Sequence, residues 1–141
     1  MAKAAKSIFR LTLRSVPKSI GRVEAYLNKI NAAIGLDEIQ MHKLMVSLTE
    51  AVNNAILHGN GSDPEKRVMV RCEVLPGWLL FQVTDQGKGF RADHVRNPLK
   101  DENLHRESGR GVFLMRTLMD KVEFERVEEG MQVRLWINTN K

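Results

Sequence analysis

The sequence predicts an α+β fold, a two-layer sandwich in which three helices cover one face of a largely antiparallel, five-stranded sheet. Alternating strand patterns occur in pairs joined by short turns, at Pro76–Gly77 and at residues 128–130. Apolar residues also recur at three- and four-residue spacing in three stretches. At 141 residues, with 43% apolar side chains, the chain fits a single domain over residues 1–141.

The predicted elements follow the order β-α-α-β-β-lid-α-β-β. Strands are expected at residues 8–14, 68–74, 78–84, 122–127 and 133–137, and helices at 18–34, 37–60 and from 109 onward. Ser15 is a candidate cap for the first helix and Asp37 for the second. Gly59 or Gly61 is expected to end the second helix in a left-handed turn. Residues 91–108 are polar and lack a clear apolar period, which is typical of a functional lid.

Charge and cysteine content narrow the classes of function. The net charge of +5 favours a polyanionic partner, but the basic residues are scattered and lack the interleaved aromatic residues of a nucleic-acid-binding surface. Cys72 is the only cysteine, which excludes a disulfide within the chain and a cysteine-built zinc site, and a buried, inert thiol is expected. The sequence has neither a membrane-length apolar run nor a recognisable signal peptide, which predicts a cytoplasmic protein.

Glu50 and Asn54 lie four residues apart in the central predicted helix and therefore share one side of it. A carboxylate and an amide held in this register can face a metal-bound phosphate. From the helix alone, an ordinary solvated surface is the simpler interpretation.

A first glycine motif, Asp85-Gln86-Gly87-Lys88-Gly89, follows a predicted strand. Asp85 can accept a hydrogen bond from an adenine amino group, and the glycines allow a ligand to approach the backbone. An Asp- and Gly-rich turn is the alternative. The overlapping stretch GKGFRA also matches the dinucleotide pattern G-x-G-x-x-A, but that interpretation is rejected because no crossover helix follows.

A second glycine motif, Gly109-Arg110-Gly111, precedes the last predicted helix, for which Ser108 is a candidate cap. Free N–H groups at a helix start, together with the positive end of the helix dipole, bind phosphate well. A simple joint between a loop and a helix is the alternative.

The order of these motifs is more specific than any one of them. Together they closely resemble the ATP-binding domain shared by the gyrase, Hsp90, histidine kinase and MutL superfamily. Within it, the short chain and the stretch EAVNNAILHG are similar to the bacterial anti-sigma-factor serine kinases. The resemblance covers nearly the whole chain and implies a single histidine kinase-like ATPase domain, with an ATP lid at about residues 91–110.

The resemblance also implies roles for individual residues. The Asn matched by Asn54 coordinates Mg²⁺ on the ATP phosphates, and the Glu matched by Glu50 is the general base toward a serine hydroxyl. The Asp matched by Asp85 recognises the adenine amino group. The other nucleotide-binding positions implied are Gly87, Gly89, Gly109, Arg110 and Gly111.

Two positions fit the family pattern less closely. Arg106 is the candidate for a catalytic basic residue of the lid, with Arg110 or Lys100 as alternatives, and an exposed arginine without a catalytic role is an equally good interpretation. The family often has Gly-Thr at the last hairpin, whereas this chain has Gly130-Met131. Because Met cannot donate the hydrogen bond through which Thr helps to hold adenine, we expect either weaker adenine binding or compensation by a residue such as Thr84.

The activity that the resemblance implies is an ATP-dependent protein serine kinase with Mg²⁺ as its cofactor. Its partners would be an anti-anti-sigma factor with a STAS domain, which it phosphorylates, and a sigma factor, which it binds in a partner switch. Direct contact with nucleic acid or membrane is not implied, and kinases of this type are commonly homodimers. The alternatives are a non-catalytic, nucleotide-dependent binding module and an orphan ATP-binding domain of a histidine kinase. Glu50 favours the kinase, because a binding module has no need of a base there.

Overall fold

The computed structural model describes residues 7–87 and 106–140, and for residues 106–109 it describes the backbone only. The strands are β1 (Ser7–Arg14), β2 (Arg67–Leu75), β3 (Trp78–Thr84), β4 (Lys121–Arg126) and β5 (Met131–Asn138). The helices are α1 (Gly21–Ile34), α2 (Glu38–Asn54) and α3 (Arg106–Leu118), with a 3₁₀ turn at Pro17–Ile20 and a π-helical turn at Ala55–Gly59.

The five strands form one sheet in the order β1-β2-β3-β5-β4, and every neighbouring pair is antiparallel. The β2–β3 pair is joined by the tight turn at Pro76–Gly77, where Gly77 has a positive φ of 77°. The β4–β5 pair turns through residues 127–130, with Val127 and Gly130 exchanging backbone hydrogen bonds. The predicted fold class, three helices and a five-stranded antiparallel sheet, is confirmed.

The hydrophobic core lies between the helices and one face of the sheet. Alternate strand residues such as Val70, Phe81 and Leu135 point into it, as the two-residue period of a strand requires. Leu48 of α2 and Leu27 of α1 are fully buried against them. Burying a side chain of this size contributes about 1.5–3 kcal/mol. This packing fixes α2 against the sheet and so fixes where its polar side chains lie.

The central helix begins as predicted but ends differently. Asp37 caps it through a capping box, accepting from Gln40 N–H at 2.7 Å. The α-helix stops at Asn54, and the chain widens into a π-helical turn in which Asn60 N–H bonds to Ala55 O at 2.8 Å. The left-handed turn then falls at Gly61, with φ 61°, and not at Gly59. The π turn carries the chain after α2 toward the end of β3.

Two predicted caps are wrong. Ser15 does not cap a helix: it is buried, and its Oγ donates to Lys66 O at 3.0 Å. Ser108 is no cap either, because α3 begins at Arg106 and not near Gly109. Within the described residues, no helix combines the length and the apolar character that crossing a bilayer requires.

Candidate functional site

Glu50 and Asn54 lie under the first turns of α3. A Cβ placed on Gly111 would lie 2.6 Å from Glu50 Oε1 and 3.4 Å from Asn54 Nδ2, so a side chain at this position would have to displace the Glu50 carboxylate. Both side chains are partly exposed, and among the described residues neither has a hydrogen-bond or ion-pair partner. The structure therefore brings Glu50, Asn54 and Gly111 together, and within the described part of the chain the polar side-chain atoms of Glu50 and Asn54 are unpaired.

Asp85 follows β3 and is 5% exposed. Its Oδ1 accepts from Met131 N–H at 3.0 Å and from Gly87 N–H at 3.1 Å, and its own N–H donates to Met131 O at 2.9 Å. Among the described residues Oδ2 accepts no hydrogen bond. One oxygen therefore fixes the orientation of the carboxylate, and the other faces Gly59.

Three glycines surround Asp85. A side chain on Gly59 would overlap the Asp85 carboxylate, and one on Gly130 would overlap its Oδ1 and its carbonyl oxygen. A side chain on Gly87 would overlap the carbonyl oxygen of Gly59. Because all three positions lack a Cβ, the end of β3, the π turn and the β4–β5 hairpin can meet around one carboxylate.

Burial raises the pKa of Asp85 above its usual range. The hydrogen bonds from Met131 and Gly87, and the charge of Lys66, act in the opposite direction but offset only part of the effect. A donor brought to Oδ2 by a ligand would favour the ionised form further. An amino group that donates to this oxygen, such as that of adenine, fits the chemistry of the position.

The start of α3 differs from the sequence prediction. The helix begins at Arg106, so Gly109 and Gly111 lie within its first turns and not before it. Arg110 is exposed. Gly89 and Lys100, with residues 88–105 of the predicted lid, lie outside the described residues.

Residues 13–137 match the model of the histidine kinase-like ATPase domain. The chain belongs to this family. It is 34% identical over 131 residues to an anti-sigma F factor of Geobacillus thermodenitrificans, covering 89% of this chain and 87% of that relative. It is 27% identical over 139 residues to the serine-protein kinase RsbW of Bacillus licheniformis, covering 94% and 86%.

Solved structures show the same fold for this ATPase domain. The RsbU and RsbW domains of a Mycobacterium tuberculosis protein align with a TM-score of 0.69 and 18% identity, over 94% of this chain and 32% of that one. The histidine kinase domain of a blue-light-activated kinase from Erythrobacter litoralis aligns with a TM-score of 0.58 and 20% identity, over 99% and 65%. The family predicted from the three motifs is therefore confirmed, whereas the roles assigned to single residues stay predictions.

The prediction that Thr84 compensates for the threonine missing from the last hairpin is wrong. Its neighbour Val83 faces the core, so the side chain of Thr84 points to the opposite, open face of the sheet. There its Oγ1 accepts from Gln132 Nε2 at 2.9 Å. The backbone of Met131, by contrast, contacts Asp85 directly, so the hairpin still takes part in the site through its main chain.

Sequence reasoning missed three residues beside Asp85. Gly59 and Asn60 were interpreted as the end of the predicted helix 37–60, and Gly130 as part of a hairpin turn. Their proximity depends on the π turn after α2, which no apolar period encodes. The only sequence signal for this turn was the pair Gly59-Asn60 at the end of a long helix, and such a pair is compatible with several turn structures.

Proposed function

We propose that this chain is an ATP-dependent protein serine kinase that phosphorylates an anti-anti-sigma factor and binds a sigma factor. The observation that carries the proposal is the pair Glu50 and Asn54, partly exposed, without partners among the described residues, and lying under Gly111. Relatives of similar length are named as anti-sigma F factors and as serine-protein kinases.

ATP would bind with its base at Asp85. The carboxylate accepts a hydrogen bond from the adenine amino group, which guanine cannot supply at the same position. By the family resemblance, Gly87 and Gly89 would shape the floor of the base pocket. The phosphates would lie toward the first turn of α3, because the N–H groups and the dipole at the start of a helix favour anions.

The amide oxygen of Asn54 suits Mg²⁺, which prefers oxygen ligands and keeps part of its shell for phosphates and water. Bound there with ATP, Mg²⁺ would neutralise charge that develops on the γ-phosphoryl group. Glu50, one helical turn away, would accept the proton of the attacking serine hydroxyl. Among the described residues its carboxylate has no partner, which supports this role, because an ion-paired carboxylate would be a weaker base.

The lid residues complete the proposal. Gly109 and Gly111 let the backbone come close to α2 and to the phosphates, and the contact between Gly111 and Glu50 supports this for one of them. Arg106 or Arg110 would supply a positive charge near the γ-phosphate. The kinase would act in the cytoplasm, as a homodimer, in a partner switch between a sigma factor and a STAS-domain antagonist.

The test is phosphoryl transfer from γ-labelled ATP to a purified candidate antagonist. We expect acid-stable phosphoserine on the antagonist and none on a Ser→Ala antagonist. Acid-labile phosphate would indicate a histidine kinase instead. Nucleotide-dependent binding of a sigma factor without any transfer would indicate a non-catalytic binding module.

A further inference from the structure

A closed ring of hydrogen bonds joins Asn60 to the segment that carries Asp85. Asn60 Oδ1 accepts from Gln86 N–H at 2.8 Å, and Gln86 Oε1 accepts from Arg67 N–H at 2.6 Å. Asn60 Nδ2 closes the ring by donating to Arg67 O at 3.0 Å. The ring connects the residue after the π turn, the first residue of β2 and the segment after β3.

Asn60 is anchored on its far side as well. It is 3% exposed, and Nδ2 also donates to Ser15 Oγ at 2.7 Å, while Ser15 Oγ donates to Lys66 O. The orientation of the amide is unambiguous, because Nδ2 faces two acceptors and Oδ1 faces a donor. Any rotation of Asn60 would leave buried polar groups unpaired, so the side chain holds Gln86 firmly.

The residue before Asn60 contacts the same segment. The carbonyl oxygen of Gly59 lies against Gly87, and its Cα lies against the carboxylate of Asp85. Residues 59 and 60 therefore contact three successive residues, Asp85, Gln86 and Gly87. A displacement of Asn60 would move the carboxylate that we propose to recognise adenine.

We infer that Asn60 is a positioning residue for nucleotide-base recognition, which holds Asp85 in place through the N–H of Gln86. The inference rests on the proposed ATP-binding function. Asn60 does not itself bind the base, because its amide is fully engaged with protein groups. Its effect is to fix the geometry of Asp85 before any ligand arrives.

The first measurement is amide hydrogen exchange by NMR in the free chain. Asn60→Ala removes the acceptor for Gln86 N–H, so we expect the amides of Gln86 and Gly87 to exchange at least about tenfold faster. Asn31→Ala is the matched control, because Asn31 Oδ1 accepts from Leu36 N–H at 2.6 Å in the turn between α1 and α2. It should leave exchange at Gln86 and Gly87 unchanged.

The second measurement is nucleotide affinity by calorimetry. We expect Asn60→Ala to weaken ATP binding about tenfold and to reduce the preference for ATP over GTP, because a misplaced Asp85 no longer selects the adenine amino group. Asn31→Ala should retain both.

Equal ATP and GTP losses in Asn60→Ala, or equal effects of Asn60→Ala and Asn31→Ala, would overturn the inference. If the unmodified chain binds no ATP, the proposed function fails, and the exchange measurement still decides whether Asn60 holds the segment.

Discussion

The two ends of the candidate nucleotide site are built differently. At the base end, Asp85 is almost fully buried, accepts two backbone hydrogen bonds and is enclosed by three glycines. At the phosphate end, Glu50 and Asn54 are partly exposed and have no partner among the described residues. The base end is therefore set in the free chain, whereas the phosphate end keeps polar atoms that a ligand would satisfy.

The difference follows from burial. A buried carboxylate without hydrogen bonds is costly, so Asp85 can exist only inside a network that fixes it. A partly exposed carboxylate or amide can use water as its partner and needs no such network. We expect substitutions at the phosphate end to change chemistry with little effect on stability, and substitutions at the base end to change both.

The largest expected effect is that of Glu50→Gln on phosphoryl transfer. Loss of a general base lowers transfer to the antagonist by about 10²–10⁴-fold, while ATP affinity should change little because the amide has the same shape. Single-turnover transfer from labelled ATP and calorimetric ATP binding measure the two effects separately. Glu24→Gln, on the exposed side of α1, is the control and should retain transfer.

A Glu50→Gln chain with normal transfer would show that Glu50 is not the base. A chain that loses ATP binding in parallel would show that Glu50 acts in binding and not in proton transfer.

The next effect is that of Asn54→Ala on magnesium-dependent ATP binding. Removing the proposed metal ligand should weaken Mg-ATP binding about 10- to 100-fold, and ATP binding measured with EDTA should be much less affected. Asn53→Ala is a closely matched control, because the neighbouring position on the helix points in a different direction. Equal losses in the two variants would contradict the assignment of the metal ligand to Asn54.

The two ends also differ in how far the sequence predicts them. A regular helix places Glu50 and Asn54 on one side because they lie four residues apart. Only the order of the three motifs, and the family resemblance that it carries, favoured a site at these residues and at Asp85 over a solvated surface and a turn. The enclosure of Asp85 could not be predicted from the sequence, because Gly59, Asn60 and Gly130 lie in or beside a π turn and a hairpin that meet Asp85 only through long-range contacts. The start of α3 was placed too late because two glycines near its start suggested a loop, although the structure includes both in the helix.

A third effect, at the base end, is that of Asp85→Asn. The amide oxygen can still accept from Met131 and Gly87, so the chain should fold, but the NH₂ group cannot accept from adenine. We expect ATP affinity to fall about tenfold or more and the preference over GTP to be lost, as measured by calorimetry. Equal losses for ATP and GTP would contradict the role of Asp85.

The same variant should change how stability depends on pH. Because the pKa of Asp85 is raised in the folded chain, protonation of Asp85 stabilises the fold. This stabilisation is fully present below the pKa that the same carboxyl group has in the unfolded chain. That contribution is lost as the pH rises through the raised pKa of the folded chain. The free energy of unfolding of the unmodified chain, relative to Asp85→Asn, should therefore decrease as the pH rises from acid toward neutrality. A relative stability that increases over this range in urea titrations would contradict the raised pKa.

The smallest expected effect is that of Ser47→Ala, in α2, on the stability of the chain. Ser47 is fully buried, and within the described part of the chain its hydroxyl has no hydrogen-bond partner. Ser47→Ala removes an unsatisfied group and introduces a better helix former, so it should raise the free energy of unfolding by about 1 kcal/mol. Ser15→Ala is the matched comparison, because that hydroxyl is equally buried but bonds to Lys66 and Asn60, and its loss should lower stability by about 1–3 kcal/mol. Urea titrations of the two variants would then give opposite signs, and a destabilised Ser47→Ala chain would mean that this hydroxyl has a partner in solution.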